Sequence, residues 1–148
     1  MASGSVDSRR RLTVNQTTDV RLGVIGLGNI GKQHIENIRS GQVDDCEVVA
    51  LCSRQPNAIV DELGVPHFSD YRELVSSGLC DAVLIATPTF NHFDIGATAL
   101  RAGLPLIMEK PIGLSVLEGE RLLALQQKDQ IFALMLNQRT DPLFLAMR

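Results

Sequence analysis

The sequence predicts an α/β fold in which a doubly wound parallel sheet carries helices on both faces within a single domain. Three observations lead there. Apolar runs of strand length alternate with helix-like stretches along nearly the whole chain, and those runs are apolar at successive positions, as strands buried on both faces require. A cluster of glycines sits where the first strand passes into the first helix.

Strands are expected at Val20 to Ile25, Glu47 to Cys52, Ala82 to Ala86, Leu104 to Met108 and Ile131 to Leu136, with a brief extended piece around Pro66 to Phe68. The first helix, Ile30 to Ile38, carries Ile30, Ile35 and Ile38 among polar residues and closes at Gly41. Ala58 to Leu63 forms a shorter helix, opened by Pro56 near its first position and stopped by Gly64. Asp70 to Ser76 follows, with Asp70 and Glu73 as a cap pair. His92 to Ala102 ends at Gly103, and its small residues Gly96, Ala97, Ala99 and Ala102 suit close packing on a sheet. Ser115 with Glu118 makes a capping box for Val116 to Lys128, where Leu117, Leu122, Leu123 and Leu125 supply an apolar stripe.

Length and composition set the outer limits. A chain of 148 residues is enough for one domain that buries about two thirds of its unfolded surface. Its 45% apolar and 21% charged residues are those of a globular protein, with no long apolar run for a membrane span. A net charge of −3 lacks the clustered cationic face that nucleic acid requires. Cys46, Cys52 and Cys80 match no zinc or redox spacing and read as buried free thiols, which with the absence of a signal-peptide core suggests the cytoplasm. Residues 1–19 are small, polar and aperiodic; a disordered tail is expected, a weak transit peptide being the competing reading.

Chemistry concentrates at the strand ends. Gly26, Gly28 and Gly31, with Asn29 and Ile30 between the last two, spell G-x-G-x-x-G after a strand and before a helix. The first glycine permits the tight turn, the second lets the backbone approach a pyrophosphate, and the third lets helix and strand pack closely. This is the entry to a Rossmann domain for a nicotinamide dinucleotide. About 20 residues on, where an acid would hold the ribose hydroxyls of NAD, the chain has Ser53 followed by Arg54. A neutral hydroxyl beside a guanidinium favours the 2′-phosphate of NADP, with NAD as the alternative; a solvent-facing loop arginine is the competing reading.

Two more strand ends, DAVLIATPTFNHFD and LPLIMEKPIGLS, together with GLGNIG, resemble the Gfo/Idh/MocA family of NAD(P)-dependent oxidoreductases from Val20 onward. The resemblance implies that Thr87, Pro88, Thr89 and His92 lie along the cofactor, although Thr89 or Asn91 also reads as a helix cap. It implies that Lys110, with Glu109 before it, points into the site as the catalytic residue. A lysine there orients a reacting hydroxyl or carbonyl. An exposed strand-end lysine is the competing reading. Asn137 and Arg139 follow the last strand and are weaker candidates. His34 reads as a surface or packing residue, His67 sits in a short extended turn, and neither has metal partners at ligand spacing, so no metal site is expected.

The family's second domain carries the acid and histidine that complete its catalytic set, and by this resemblance the 148 residues bind dinucleotide while turning over little substrate of the sugar or polyol class. Oligomer contacts also belong to that second domain. Two other classes compete: a dinucleotide-sensing module that retains the fold without turnover, and an S-adenosylmethionine methyltransferase on a similar sheet, against which the E-K-P and T-P-x-x-x-H features count.

Overall fold

The structure, a computed structural model, describes residues 19–139 and 141–147; all but the last residue of the expected N-terminal tail lies outside them. Six strands, β1 (Val20–Ile25), β2 (Cys46–Cys52), β3 (His67–Phe68), β4 (Ala82–Ile85), β5 (Leu106–Glu109) and β6 (Phe132–Met135), form one sheet. Its order is β3-β2-β1-β4-β5-β6 and every pairing is parallel. Between the strands run α1 (Asn29–Arg39), α2 (Ala58–Leu63), α3 (Tyr71–Ser76), α4 (His92–Arg101) and α5 (Val116–Leu125), with α6 (Pro142–Ala146) after β6. This is the doubly wound Rossmann arrangement that strand–helix alternation predicts, in one domain.

Alternation along each strand divides the core in two. Ile25, Val83, Ile85, Leu106 and Met108 face Leu74 of α3, Ile95 and Leu100 of α4 and Leu122 of α5. On the other face Leu22, Val24, Leu51 and Leu84 meet Ile35 of α1 and Ile59 of α2. Each such side chain stabilises the fold by roughly 1.5–3 kcal/mol through apolar area removed from water. Gly96 brings α4 onto this layer so closely that a Cβ there would stand 2.6 Å from Met108 Cε.

Several element boundaries and caps differ from the sequence reading, and the following ones trace to a tertiary or capping bond. The strand expected from Leu104 begins at Leu106, because Leu104 N–H turns back to the Ala99 carbonyl (3.1 Å) and Gly103 N–H to Leu100 (3.0 Å). That paired capping motif needs the left-handed φ of +78° at Gly103. Helix α5 stops at Leu125 rather than Lys128. The buried Gln130 side chain accepts from Gln127 N–H (2.9 Å) and donates to Leu104 O (2.9 Å), holding residues 126–130 as a turn under the end of α4. Asn57 caps α2 by accepting from Ile59 N–H at 3.2 Å, which leaves Pro56 outside that helix. Asp70 caps α3 through Arg72 N–H at 2.8 Å rather than through Glu73. Ser115 accepts from Glu118 N–H as expected, but Glu118 returns its carboxylate to Leu114 N–H (2.7 Å), one residue before the cap.

At the amino edge of the sheet Arg21 forks onto Asp81, with Nε–Oδ2 at 3.0 Å and Nη2–Oδ1 at 2.7 Å. Hydrogen bonds from that side chain and from the Arg21 backbone N–H hold the Asp81 carboxyl down to about 2. A depressed carboxyl contributes stability that is full above its ordinary pKa and is lost as pH falls through the folded value. Asp81→Asn is therefore expected to lower the thermal midpoint modestly at neutral pH, with the gap to the parent chain closing between about pH 4 and about pH 2. Circular-dichroism melts across that range check it; a gap independent of pH contradicts it.

Candidate functional site

The strand order reverses at β1, whose carboxyl end is flanked by β2 on one side and β4 on the other. Ligands of open α/β sheets bind at such a switch point. Here a cleft of about 870 Å³ opens, lined by Gly26 to Gly28, Ser53 to Gln55, the segment Ser69 to Arg72 and Ala86 to Pro88.

The glycine loop forms its floor. Gly26 has φ +102°, and a Cβ on it would stand 2.5 Å from the Ala86 carbonyl oxygen. A Cβ on Gly31 would strike the Gly26 carbonyl oxygen, so α1 starts directly against the loop. Gly28 differs from both. Its φ is −73°, a value open to any residue, and a Cβ there would meet nothing within 4 Å. Neither backbone strain nor packing within the described residues calls for glycine at 28, and the space over it is open to the cleft. Gly28 also begins α1 without a side-chain cap, and no acid occupies the first turn, where Asn29 and the half-exposed Ile30 lie. The first N–H groups of that helix are thus left for an anion. Asn57 ties the loop to α2 by donating from Nδ2 to the Leu27 carbonyl at 3.3 Å.

Beyond β2, the Ser53 hydroxyl donates to Gln55 O at 2.6 Å, so the contact of its Oγ with His67 Nε2 at 3.0 Å has the imidazole as donor. Ser53 therefore shapes the turn that displays Arg54. The Arg54 side chain is exposed on the cleft and has no partner among the described residues. Facing it is a wall that the sequence reading did not single out: Arg72 lies over the Tyr71 ring, 4.5 Å from its centroid, and its Nη1 approaches Asp70 Oδ1 at 3.4 Å. Asp70 was legible as a helix cap; only the β2–β3 pairing brings it and its neighbours to the cleft. Cys52 also lines the cleft, but burial, reinforced by the Asp70 and Glu73 charges, raises its thiol to about 11. The Cys52 thiol is thereby held in its protonated form at neutral pH.

At the end of β4, Thr87 and Pro88 line the cleft, and Thr87 Oγ1 is closed off from solvent with no hydrogen-bond partner among the described residues. An orphaned buried hydroxyl costs roughly 1–3 kcal/mol, which a polar ligand atom would offset. Thr89 opens a 3-10 turn over Thr89–Asn91 that leads into α4, where no side-chain cap bond forms. His92 is 1% exposed and sits behind the cleft rather than in it. Its Nδ1 contacts the Pro111 carbonyl (2.8 Å) and its Nε2 the Thr87 carbonyl (2.9 Å), so the ring ties the two strand-end loops together. This corrects the expectation of a direct cofactor contact.

At the end of β5 Lys110 is exposed, with no side-chain partner among the described residues. Glu109 before it is held by His34 of α1, Nε2 to Oε1, at 2.8 Å. His34, which the sequence reading placed as a packing or surface residue, thus packs α1 against the residue that precedes Lys110. Asn137 and Arg139 form an exposed 3-10 turn after β6, away from the cleft lining. The described residues contain no group of three metal-binding side chains.

The glycines separate folding from binding. Gly26→Ala is expected to cost roughly 1–3 kcal/mol of stability through backbone strain and the Ala86 clash. Gly28→Ala is expected to keep the melting midpoint while weakening dinucleotide binding about tenfold or more, the equivalent of about 1.4 kcal/mol. Paired thermal melts and nucleotide titrations check both; a destabilised Gly28→Ala chain with unchanged affinity contradicts the assignment.

The sequence pattern of the Gfo/Idh/MocA group, described as an oxidoreductase family with an NAD-binding Rossmann fold, matches residues 20–137. The chain is similar to the inositol 2-dehydrogenase of Corynebacterium glutamicum, 33% identical over 112 residues that cover 74% of this chain and 33% of the relative. Among solved structures it is similar to scyllo-inositol dehydrogenase from Lactobacillus casei with bound NAD(H) and scyllo-inositol, at 31% identity and a TM-score of 0.78, covering 84% of this chain and 38% of that one. Biliverdin reductase from Synechocystis in complex with biliverdin and NADP+ aligns at 27% identity and a TM-score of 0.70, covering 78% of this chain and 37% of that one. The chain spans about a third of the length of these relatives. With its fold, its glycine loop and the family pattern in agreement, the chain belongs to the Gfo/Idh/MocA oxidoreductase family and forms its NAD-binding Rossmann domain.

Proposed function

We propose that this domain holds NADP, in preference to NAD, within an oxidoreductase that exchanges a hydride with a secondary alcohol of a sugar, polyol or related compound. The observation that carries the dinucleotide is Gly28, a glycine that nothing in the chain requires, at the head of an uncapped helix. The loop from Gly26 to Gly31 would receive the pyrophosphate, with Asn29 and Ile30 on the first turn. Thr87 Oγ1, lacking a partner, is suited to a polar atom of the cofactor, with Pro88 continuing that wall and Thr89 opening the turn that follows it.

The preference for NADP rests on Ser53 and Arg54. No carboxylate stands at the end of β2 to repel a 2′-phosphate, and the Arg54 guanidinium is not already engaged by an acid among the described residues. Arg72, held against Tyr71 and paired with Asp70, presents a second guanidinium on the same cleft. The substrate class follows from the inositol dehydrogenases among the relatives. When bound, the nicotinamide supplies the redox chemistry. The protein's part is placement: Lys110, exposed at the carboxyl end of β5, presents three N–H donors to orient the reacting oxygen. Free thiols at Cys46, Cys52 and Cys80 accord with a reducing compartment such as the cytoplasm.

Titrating the chain with NADPH, NADH and S-adenosylmethionine, followed by nucleotide fluorescence and thermal shift, tests this reading. NADPH is expected to bind at least about tenfold tighter than NADH, and Arg54→Ala to remove most of that difference, as loss of a charge-assisted bond worth roughly 1.5–3 kcal/mol implies. Equal or tighter binding of NADH overturns the NADP preference. Stabilisation by S-adenosylmethionine alone overturns the dinucleotide.

A further inference from the structure

The pair His34–Glu109 joins the glycine-loop helix to the strand end that carries Lys110. Its atoms are 2.8 Å apart, and the two side chains are only 20% and 15% exposed, so the contact is shielded from competing water. The other carboxylate oxygen, Oε2, accepts the Lys110 backbone N–H at 3.3 Å. Glu109 is therefore held from both ends: by α1 through one oxygen, and by the backbone of residue 110 through the other. Lys110 lies in the bend just past β5, so the bond from its N–H to Glu109 helps fix the backbone from which its exposed side chain projects.

We propose that His34 is a positioning residue that sets the direction of Lys110 through Glu109. This inference rests on the reading that Lys110 faces the reacting groups. Lys110 is adjacent in sequence and unengaged among the described residues. With the imidazole gone, the half-buried Glu109 carboxylate loses its partner, and the neighbouring ammonium is drawn toward it and away from its present direction at the carboxyl end of the sheet. Because His34 lies one turn into α1, the helix whose amino end would receive the pyrophosphate also aligns the lysine.

Only Nε2 of His34 makes the bond. A glutamine amide reaches the position of Nε2, whereas an asparagine amide reaches only that of Nδ1. His34→Gln should therefore preserve the arrangement, and His34→Asn and His34→Leu should break it, although Gln and Asn are equally polar. The readout is the rate at which a small amine-acylating reagent modifies Lys110, mapped by peptide mass spectrometry on the unliganded chain, with Lys128 as internal reference. His34→Asn and His34→Leu are expected to change the Lys110 rate at least threefold relative to Lys128, with His34→Gln matching the parent chain. If His34→Leu does not fold, His34→Asn carries the comparison. Parent-like rates in His34→Asn, or the same change in His34→Gln as in His34→Asn, overturn the proposal. The underlying reading is tested separately: NADPH that binds the parent chain without slowing Lys110 modification removes Lys110 from the cofactor's vicinity, whatever the His34 variants show.

Discussion

The close crossing of Gly26 beneath the end of β4 is the contact on which the rest of the site depends. The backbone there passes so near the Ala86 carbonyl that no side chain fits, and Gly31 brings α1 equally close to the Gly26 carbonyl. These two approaches place the start of α1 at the point where the sheet order reverses. The cleft exists because strands on either side of β1 lead their connections to opposite faces, and the glycines let the helix reach into it. A looser loop would separate the helix amides from the Thr87 hydroxyl across the cleft.

Around that crossing, polar groups fall into two sets. Ser53, Asn57, His67 and His92 satisfy one another or backbone carbonyls, and they hold the loops after β2, β4 and β5 in fixed relation. Arg54, Thr87 and Lys110 remain without side-chain partners among the described residues, and they stand at the ends of β2, β4 and β5 respectively. Preorganised supports with unengaged tips are the arrangement expected of a binding surface, since groups already fixed lose little freedom when a ligand arrives. The Arg21–Asp81 fork lies at the opposite edge of the sheet, so the one strongly depressed carboxyl among the described residues serves stability rather than the cleft.

Local signals carried much of this. Apolar runs located five of the six strands, because burial on both faces leaves a continuous apolar stretch that needs no partner to be recognised. The errors fall where a distant group intervened: the Gln130 amide ending α5 early, or the Ala99 carbonyl capturing Leu104 before β5. For the site, residues at the ends of long strands were legible. The Tyr71–Arg72 wall was not, since β3 is two residues long and its pairing with β2 alone carries that segment to the cleft.

The sequence by itself determined the α/β class, the glycine loop, the family resemblance and the positions of Ser53, Arg54, Thr87 and Lys110, because each rests on spacing within one strand–turn–helix unit. Tertiary structure alone decided what the three histidines do. His92 moved behind the cleft, His67 became a support for Ser53, and His34 joined Glu109 across 75 residues of chain. An imidazole near a glycine loop has no fixed role in a linear sequence, because its partner is chosen by which strand end the sheet brings within hydrogen-bond reach.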